Sequence, residues 1–316
     1  MLRRGLLALF VMTSLLAGGA GPAAAAQKLR VLLDWFANPS HAPIIVAKQK
    51  GFFAAEGLDV DVIVPSSADD ATKLLIARQA DVGINYEPQL IMQQAEGVPL
   101  VRIGTIIDRP LTCLMVKSDG PALDDLKGKK IGYSIGDLQT ILMRTILARH
   151  GLKLGDVELV NVNFSLASAL ASGQVDAVIG AYRNFEPIQL AMQGVSTHCY
   201  PVEEEGVPSY DEMVYVANRG DVGRPELKAF MDAVTKAAAW LKANPDAAFD
   251  SFKTFAPELD DELNRRSWTV TVPAVASPPG ALDKAGYEKV AAYLQAGGLI
   301  KEVLPPERYG VDLTVP

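Results

Sequence analysis

Apolar residues fall into short unbroken runs, each followed by a turn and then a segment with helical spacing. Residues 29–33, 60–64 and 100–107 are such runs, and each predicts a strand buried on both faces, as in a parallel sheet. Between them, residues 42–50 predict a helix stopped by Gly51, and 68–77 a second helix. After the run 112–116, the turn Ser118-Asp119-Gly120-Pro121 marks a restart. Strands are then expected over 130–133 and 157–162, and helices over 138–150 and 166–172. Residues 213–217 form a last short apolar strand. Beyond it, 225–244, 245–255, 260–270 and 283–296 carry helical spacing and almost no strand signal.

One pattern occurs twice. Residues 77–90 read ARQADVGINYEPQL and residues 172–190 read SGQVDAVIGAYRNFEPIQL. Asp81 matches Asp176, and Glu87-Pro88 matches Glu186-Pro187, with four more residues in the second turn. Each copy predicts a buried strand that delivers a polar, aromatic loop to the C-terminal edge of a sheet before Pro opens a helix. Ligands of open α/β sheets sit at that edge. The fold class is therefore α/β, with two lobes facing each other across a cleft.

The C-terminal helices need a sheet face to cover, and the first lobe is the one short of covering material. The chain is thus expected to cross between lobes near 108–113 and to return near 210–216. This gives lobe one residues 27–110 with 215–316, lobe two residues 111–214, and a two-segment hinge.

The first 26 residues read as a cleaved secretory signal: a basic start to Arg4, an apolar run over 6–16, and Ala24-Ala25-Ala26 before Gln27. The apolar run is too short to span a bilayer, and no Cys adjoins the cleavage point for a lipid. A free periplasmic protein, monomeric, is expected. Removing Arg3 and Arg4 takes the formal charge from −7 to −9. That balance, without a Lys/Arg cluster, argues against nucleic acid as a partner.

Cys113 and Cys199 could pair in an oxidising compartment, but their apolar, strand-like settings favour two buried free thiols. They and the scattered His41, His150 and His198 lack metal-ligand spacing. No P-loop, nucleophile elbow or dinucleotide fingerprint is present. No catalytic residue, metal or cofactor is expected.

Residues 33–60, LDWFANPSHAPIIVAKQKGFFAAEGLDV, carry an Asp-Trp-x-x-Asn-x-x-His loop, then Ala-Lys-x-x-Gly-Phe-Phe and Glu-Gly-Leu-Asp-Val. In these, in DLKGKKIGY at 125–133 and in GAYRNFEPIQL at 180–190, the chain resembles the NMT1/THI5-like proteins of thiamine-pyrimidine biosynthesis and uptake. The resemblance covers roughly residues 29–200. It implies a two-lobed periplasmic binding protein fold, type II-like, and a receptor that hands a thiamine-precursor pyrimidine to the permease and ATPase of an ABC importer. Relatives in that family bind alkanesulfonates, nitrate or riboflavin, so a different cargo is the alternative. A eukaryotic branch makes the pyrimidine phosphate in an iron-dependent, self-sacrificing reaction, but its cysteine-rich motif is absent here.

Candidate ligand contacts follow from loop position and chemistry. Trp35, Tyr86 and Tyr182 could stack on a planar heteroaromatic ring. Glu186, at a helix start, could accept from an exocyclic amine and, when protonated, donate to a ring nitrogen. Glu87 holds the matching place in the first copy. Asn38 and Asn184 offer both donor and acceptor. His41 matches the histidine used by the synthase branch. The turn at Ser134-Ile135-Gly136 could aim backbone N–H groups at a ligand oxygen.

Overall fold

The structure, a computed structural model, describes residues 25–67 and 70–314. All but the last two residues of the expected signal segment lie outside that range. Two five-stranded sheets form the frame. The first holds β1 (Gln27–Leu32), β2 (Leu58–Ile63), β3 (Val82–Asn85) and β4 (Leu100–Ile107). The second holds β5 (Thr112–Lys117), β6 (Lys130–Tyr133), β7 (Glu158–Asn161), β8 (Ala177–Tyr182) and β9 (Thr197–Pro201). Finally β10 (Met213–Asn218) returns to the first sheet.

The strand orders are β2-β1-β3-β10-β4 and β7-β6-β8-β5-β9. In each, the fourth strand alone runs against the rest, and it is the strand next to a crossing. The two lobes thus share one topology. The chain leaves the first sheet after Ile107 and comes back to it at Met213.

The internal repeat has a structural basis. Its strands, β3 and β8, hold the third place in their sheets. Asp81 accepts from the Arg30 amide at 2.9 Å, and Asp176 accepts from the Lys130 amide at 2.8 Å. Their own amides donate back to the carbonyls of the same two residues. Each Asp therefore ties the entry of the third strand to its neighbour in the second place, which fixes register where one face must meet the core.

The C-terminal helices Pro225–Ala243, Pro245–Phe252, Glu262–Thr271 and Lys284–Ala296 match the expected ones closely. They cover the first lobe, as Phe230 illustrates by stacking on Phe53 at 5.5 Å and meeting the Tyr215 ring edge-on. Residues 276–279 then run along β4, with Thr105 donating to the Pro279 carbonyl and Ala276 to that of Ile106. This shields an open sheet edge. Arg102, fully buried, pins the segment by donating to the carbonyls of Pro279, Gly280 and Ala281. No helix among the described residues is long and apolar enough to cross a membrane.

The free-thiol expectation is corrected. Cys113 and Cys199 form a disulfide between β5 and β9, their Cα atoms 5.6 Å apart. Cys113 stands opposite Pro201, and Cys199 opposite Met115, so the pair sits on the diagonal of one sheet face. That adjacency depends on β9 folding back beside β5, which local apolar pattern does not reveal.

Candidate functional site

Side chains from both sheets' loops converge on one crevice of about 530 Å³ of atom-free space, some of it open to solvent. Trp35, Asn38, Ser40 and Tyr86 come from the first lobe. Ile135, Leu138, Gln139, Gly180, Tyr182, Phe185 and Glu186 come from the second, with Thr112, Glu212 and Met213 beside the crossings. No Lys, Arg or His is among these lining residues.

The loop after β1 is held from within. Asn38 caps the short turn Pro39–His41 by accepting from the Ser40 amide at 2.9 Å, while its Nδ2 donates to the Phe36 carbonyl. Its amide is engaged at both ends, yet it remains on the cavity wall. His41 is fully buried and off that wall. Its Nδ1 accepts from the Asn38 amide at 3.2 Å, so the ring proton sits on Nε2 and is donated to Asp34 Oδ1 at 2.9 Å. The other Asp34 oxygen accepts from the Tyr86 hydroxyl at 2.6 Å. Burial, together with the Asp34 charge, keeps that phenol well above its usual range. Asp34, which the sequence places only in a loop, is the organiser of this wall.

Trp35 meets Phe164 of the second lobe edge-on at 4.6 Å. Phe36 packs against Phe164 and Phe185 at 6.3 and 5.9 Å. An aromatic seam therefore joins the lobes beside the crevice.

In the second lobe, Tyr182 ends β8 and Glu186 begins the helix Glu186–Met192. The Tyr182 amide donates to Glu186 Oε2 at 2.7 Å. Burial raises the Glu186 carboxyl to about 7, against the pull of its hydrogen bonds from the Tyr182 amide and its own amide. The Tyr182 hydroxyl is buried and lies beside that of Tyr86 without a well-formed hydrogen bond among the described residues. A buried polar group in that state costs free energy until something satisfies it.

The matching residue of the first copy goes elsewhere. Glu87 follows Tyr86 directly, without the extra turn residues, and its Oε2 accepts from the Asp211 amide at 2.6 Å, off the crevice wall. Asn184 is also off the wall; its Nδ2 reaches Thr271 Oγ1 at 2.7 Å and Ser40 Oγ at 3.3 Å. Gly136 opens the helix Gly136–Arg149 without reaching the cavity. The amides of Ser134 and Ile135 both donate to Gln139 Oε1, at 2.7 and 3.1 Å. Those two N–H groups are engaged within the turn and are not free to form the expected oxygen cradle.

Two features escaped sequence reasoning. Gln139 lies so close to Gly180 that a Cβ there would stand 2.0 Å from its Nε2, and Gly180 has φ +97°, so only glycine fits. Glu212 sits on the returning segment, fully buried. It accepts from the amides of Leu111 and Thr112 at 2.6 and 2.8 Å and from the Thr112 hydroxyl at 3.0 Å. It thus stitches the two crossings together on the cavity wall. Burial raises its carboxyl above the usual range although these donors oppose the shift. Among the described residues, no group of three or more His, Cys, Asp and Glu is arranged to hold a metal ion.

Comparison with known proteins gives the same family that the loop motifs resemble. A family model described as NMT1/THI5 like matches residues 38–248. A Haemophilus influenzae protein provisionally named for thiamine biosynthesis is 44% identical, over 92% of this chain and 94% of its own. The formylaminopyrimidine-binding protein of Halalkalibacterium halodurans is 29% identical, over 96% and 95% of the two chains. A 4-amino-5-hydroxymethyl-2-methylpyrimidine phosphate synthase of Uromyces fabae is 31% identical, over 76% and 74%. Among solved structures, the alkanesulfonate-binding protein of Xanthomonas axonopodis pv. citri superposes with a TM-score of 0.70, covering 91% of this chain and 99% of that one at 18% identity. The fold is that of the two-lobed periplasmic binding proteins.

Proposed function

The chain belongs to the NMT1/THI5-like family, and on that premise we propose that it is a periplasmic receptor for a thiamine-precursor aminopyrimidine, which it presents to the permease and ATPase of an ABC importer. With β10 counted to its sheet, the lobes comprise residues 27–110 with 213–316 and residues 111–212. One observation carries the reading. Trp35 and the Tyr182–Glu186 turn, from different lobes, line a single crevice that holds two carboxyl groups and no cationic side chain.

The chemistry of that crevice suits an amino-heteroaromatic ring. Trp35 supplies a face for stacking. Glu186, protonated near neutrality, accepts from an exocyclic amine and donates to the adjacent ring nitrogen. The unpaired Tyr182 hydroxyl finds its partner on the ligand. Asn38, Tyr86 and Glu212 shape the remaining wall. Closure stabilised by these contacts is what the importer reads.

An anionic cargo fits poorly, because a sulfonate would be brought beside Glu186 and Glu212 with no lining cation to offset its charge. Catalysis, as in the synthase-named relatives, is the alternative from a different class. A thermal-shift panel tests the reading, since a ligand specific to the folded state raises the melting temperature. Hydroxymethylpyrimidine or its formylamino relative should raise it, and taurine, alkanesulfonates and riboflavin should not. A rise with a sulfonate alone overturns the proposal, and conversion of the pyrimidine to product moves the protein into the enzyme class.

A further inference from the structure

Asn184 lies between two cavity residues of the second lobe, Tyr182 and Glu186, yet its side chain leaves the crevice and enters the first lobe. Its Nδ2 donates to Thr271 Oγ1 at 2.7 Å and to Ser40 Oγ at 3.3 Å. All three residues are buried.

The direction of the main bond is fixed by its surroundings. The Thr271 hydroxyl donates its one proton to the Ser267 carbonyl at 2.7 Å, one turn back in the helix. The same oxygen can therefore only accept from Asn184, which sets the amide with its NH2 group toward the first lobe. Both anchors are tied into the first lobe. Thr271 ends the helix Glu262–Thr271, whose chain continues directly into the segment paired with β4. Ser40 is held by the Asn38 cap. On the other side, Arg183 and Phe185 tie the Asn184 turn to the Leu111 and Tyr182 carbonyls.

We propose that Asn184 is an interlobe latch, a positioning residue that holds the two lobes together through Thr271 and Ser40 and sets how long a ligand stays without touching it. The latch adds a regulatory element to the receptor reading on which it rests. Parting the lobes removes both acceptors at once, so the bond exists only in the closed arrangement. The neighbouring Tyr182 and Glu186 report ligand, and Asn184 reports closure, from one turn.

The test is pulsed electron resonance between spin labels on exposed Gln193 and Glu288, one in each lobe, in the full chain without ligand. Asn184→Ala should shift the distance distribution toward separation, with the closed fraction falling about fivefold relative to the open, the scale of one net hydrogen bond. Thr271→Val removes the acceptor at nearly constant volume and should reproduce that shift. The double variant should add nothing to Asn184→Ala alone, since that change already removes the bond that Thr271→Val breaks. An unchanged distribution in correctly melting Asn184→Ala protein overturns the latch, as do independent, additive effects of the two substitutions. Because no ligand enters the measurement, a wrong cargo assignment would appear in the thermal-shift panel and leave this result intact.

Discussion

The backbone amide of Tyr182 donates to the Glu186 carboxyl at 2.7 Å, closing a turn that shows both side chains to one cavity. The carboxyl is positioned by its own loop before any ligand arrives, which lowers the cost of using it. Glu186→Ala should weaken binding of an aminopyrimidine by about 1.5–3 kcal/mol, the scale of a hydrogen bond to a charged group. Glu186→Gln keeps the acceptor and the backbone contact and should lose less. Calorimetry showing an unchanged dissociation constant for the alanine variant removes Glu186 from the ligand's partners.

Binding should also depend on pH with a definite sign. The free carboxyl titrates at about 7, raised by burial. The complex keeps one proton between the carboxyl and the ring nitrogen, wherever it resides. Above about 7 the free protein has lost that proton and must regain it on binding, so affinity should fall about tenfold per pH unit. Titrations at pH 6, 7, 8 and 9 check this. An affinity that stays level from 7 to 9 would falsify the shared proton.

Much of this geometry was legible in the chain. The repeated Asp, Tyr and Glu-Pro located both strand ends because each Asp performs the same register-setting task, on Arg30 in one lobe and Lys130 in the other. The repeat misled where the copies differ in length. Glu87 has no turn in which to fold back and instead holds the Asp211 amide. Asn184, Gly136 and His41 stand on the right loops but serve the fold or the lobe contact, since direction within a loop depends on tertiary partners. Glu212 and Phe164 left no local signal; their roles exist only once the crossings and the lobes meet.

Pairing of Cys113 with Cys199 spans 86 positions of sequence. A cross-link over that distance constrains the unfolded chain, and opening it should cost about 2–4 kcal/mol. Reduction, or replacement of both cysteines by serine, should lower the denaturant midpoint accordingly. Equal midpoints for oxidised and reduced protein would show that the link contributes nothing to stability.

Asp34 gives the sharpest test of how the first-lobe wall is built. Its two oxygens accept from different donors, Oδ1 from His41 and Oδ2 from the Tyr86 hydroxyl. In Asp34→Asn one of those oxygens becomes an NH2 group, so one buried donor faces another donor and goes unpaired. The loss of stability should be about 1–3 kcal/mol, the cost of an unsatisfied buried group. Asparagine can rotate to keep His41 and forsake Tyr86, because the Tyr86 hydroxyl can turn and the ring N–H of His41 cannot. If so, Tyr86→Phe should cost clearly less in the Asp34→Asn protein than in the original chain. Urea unfolding of the four proteins in that cycle measures the coupling. A coupling near zero would mean that Tyr86 and Asp34 stabilise the loop separately, and that the Trp35 wall is not held through their contact.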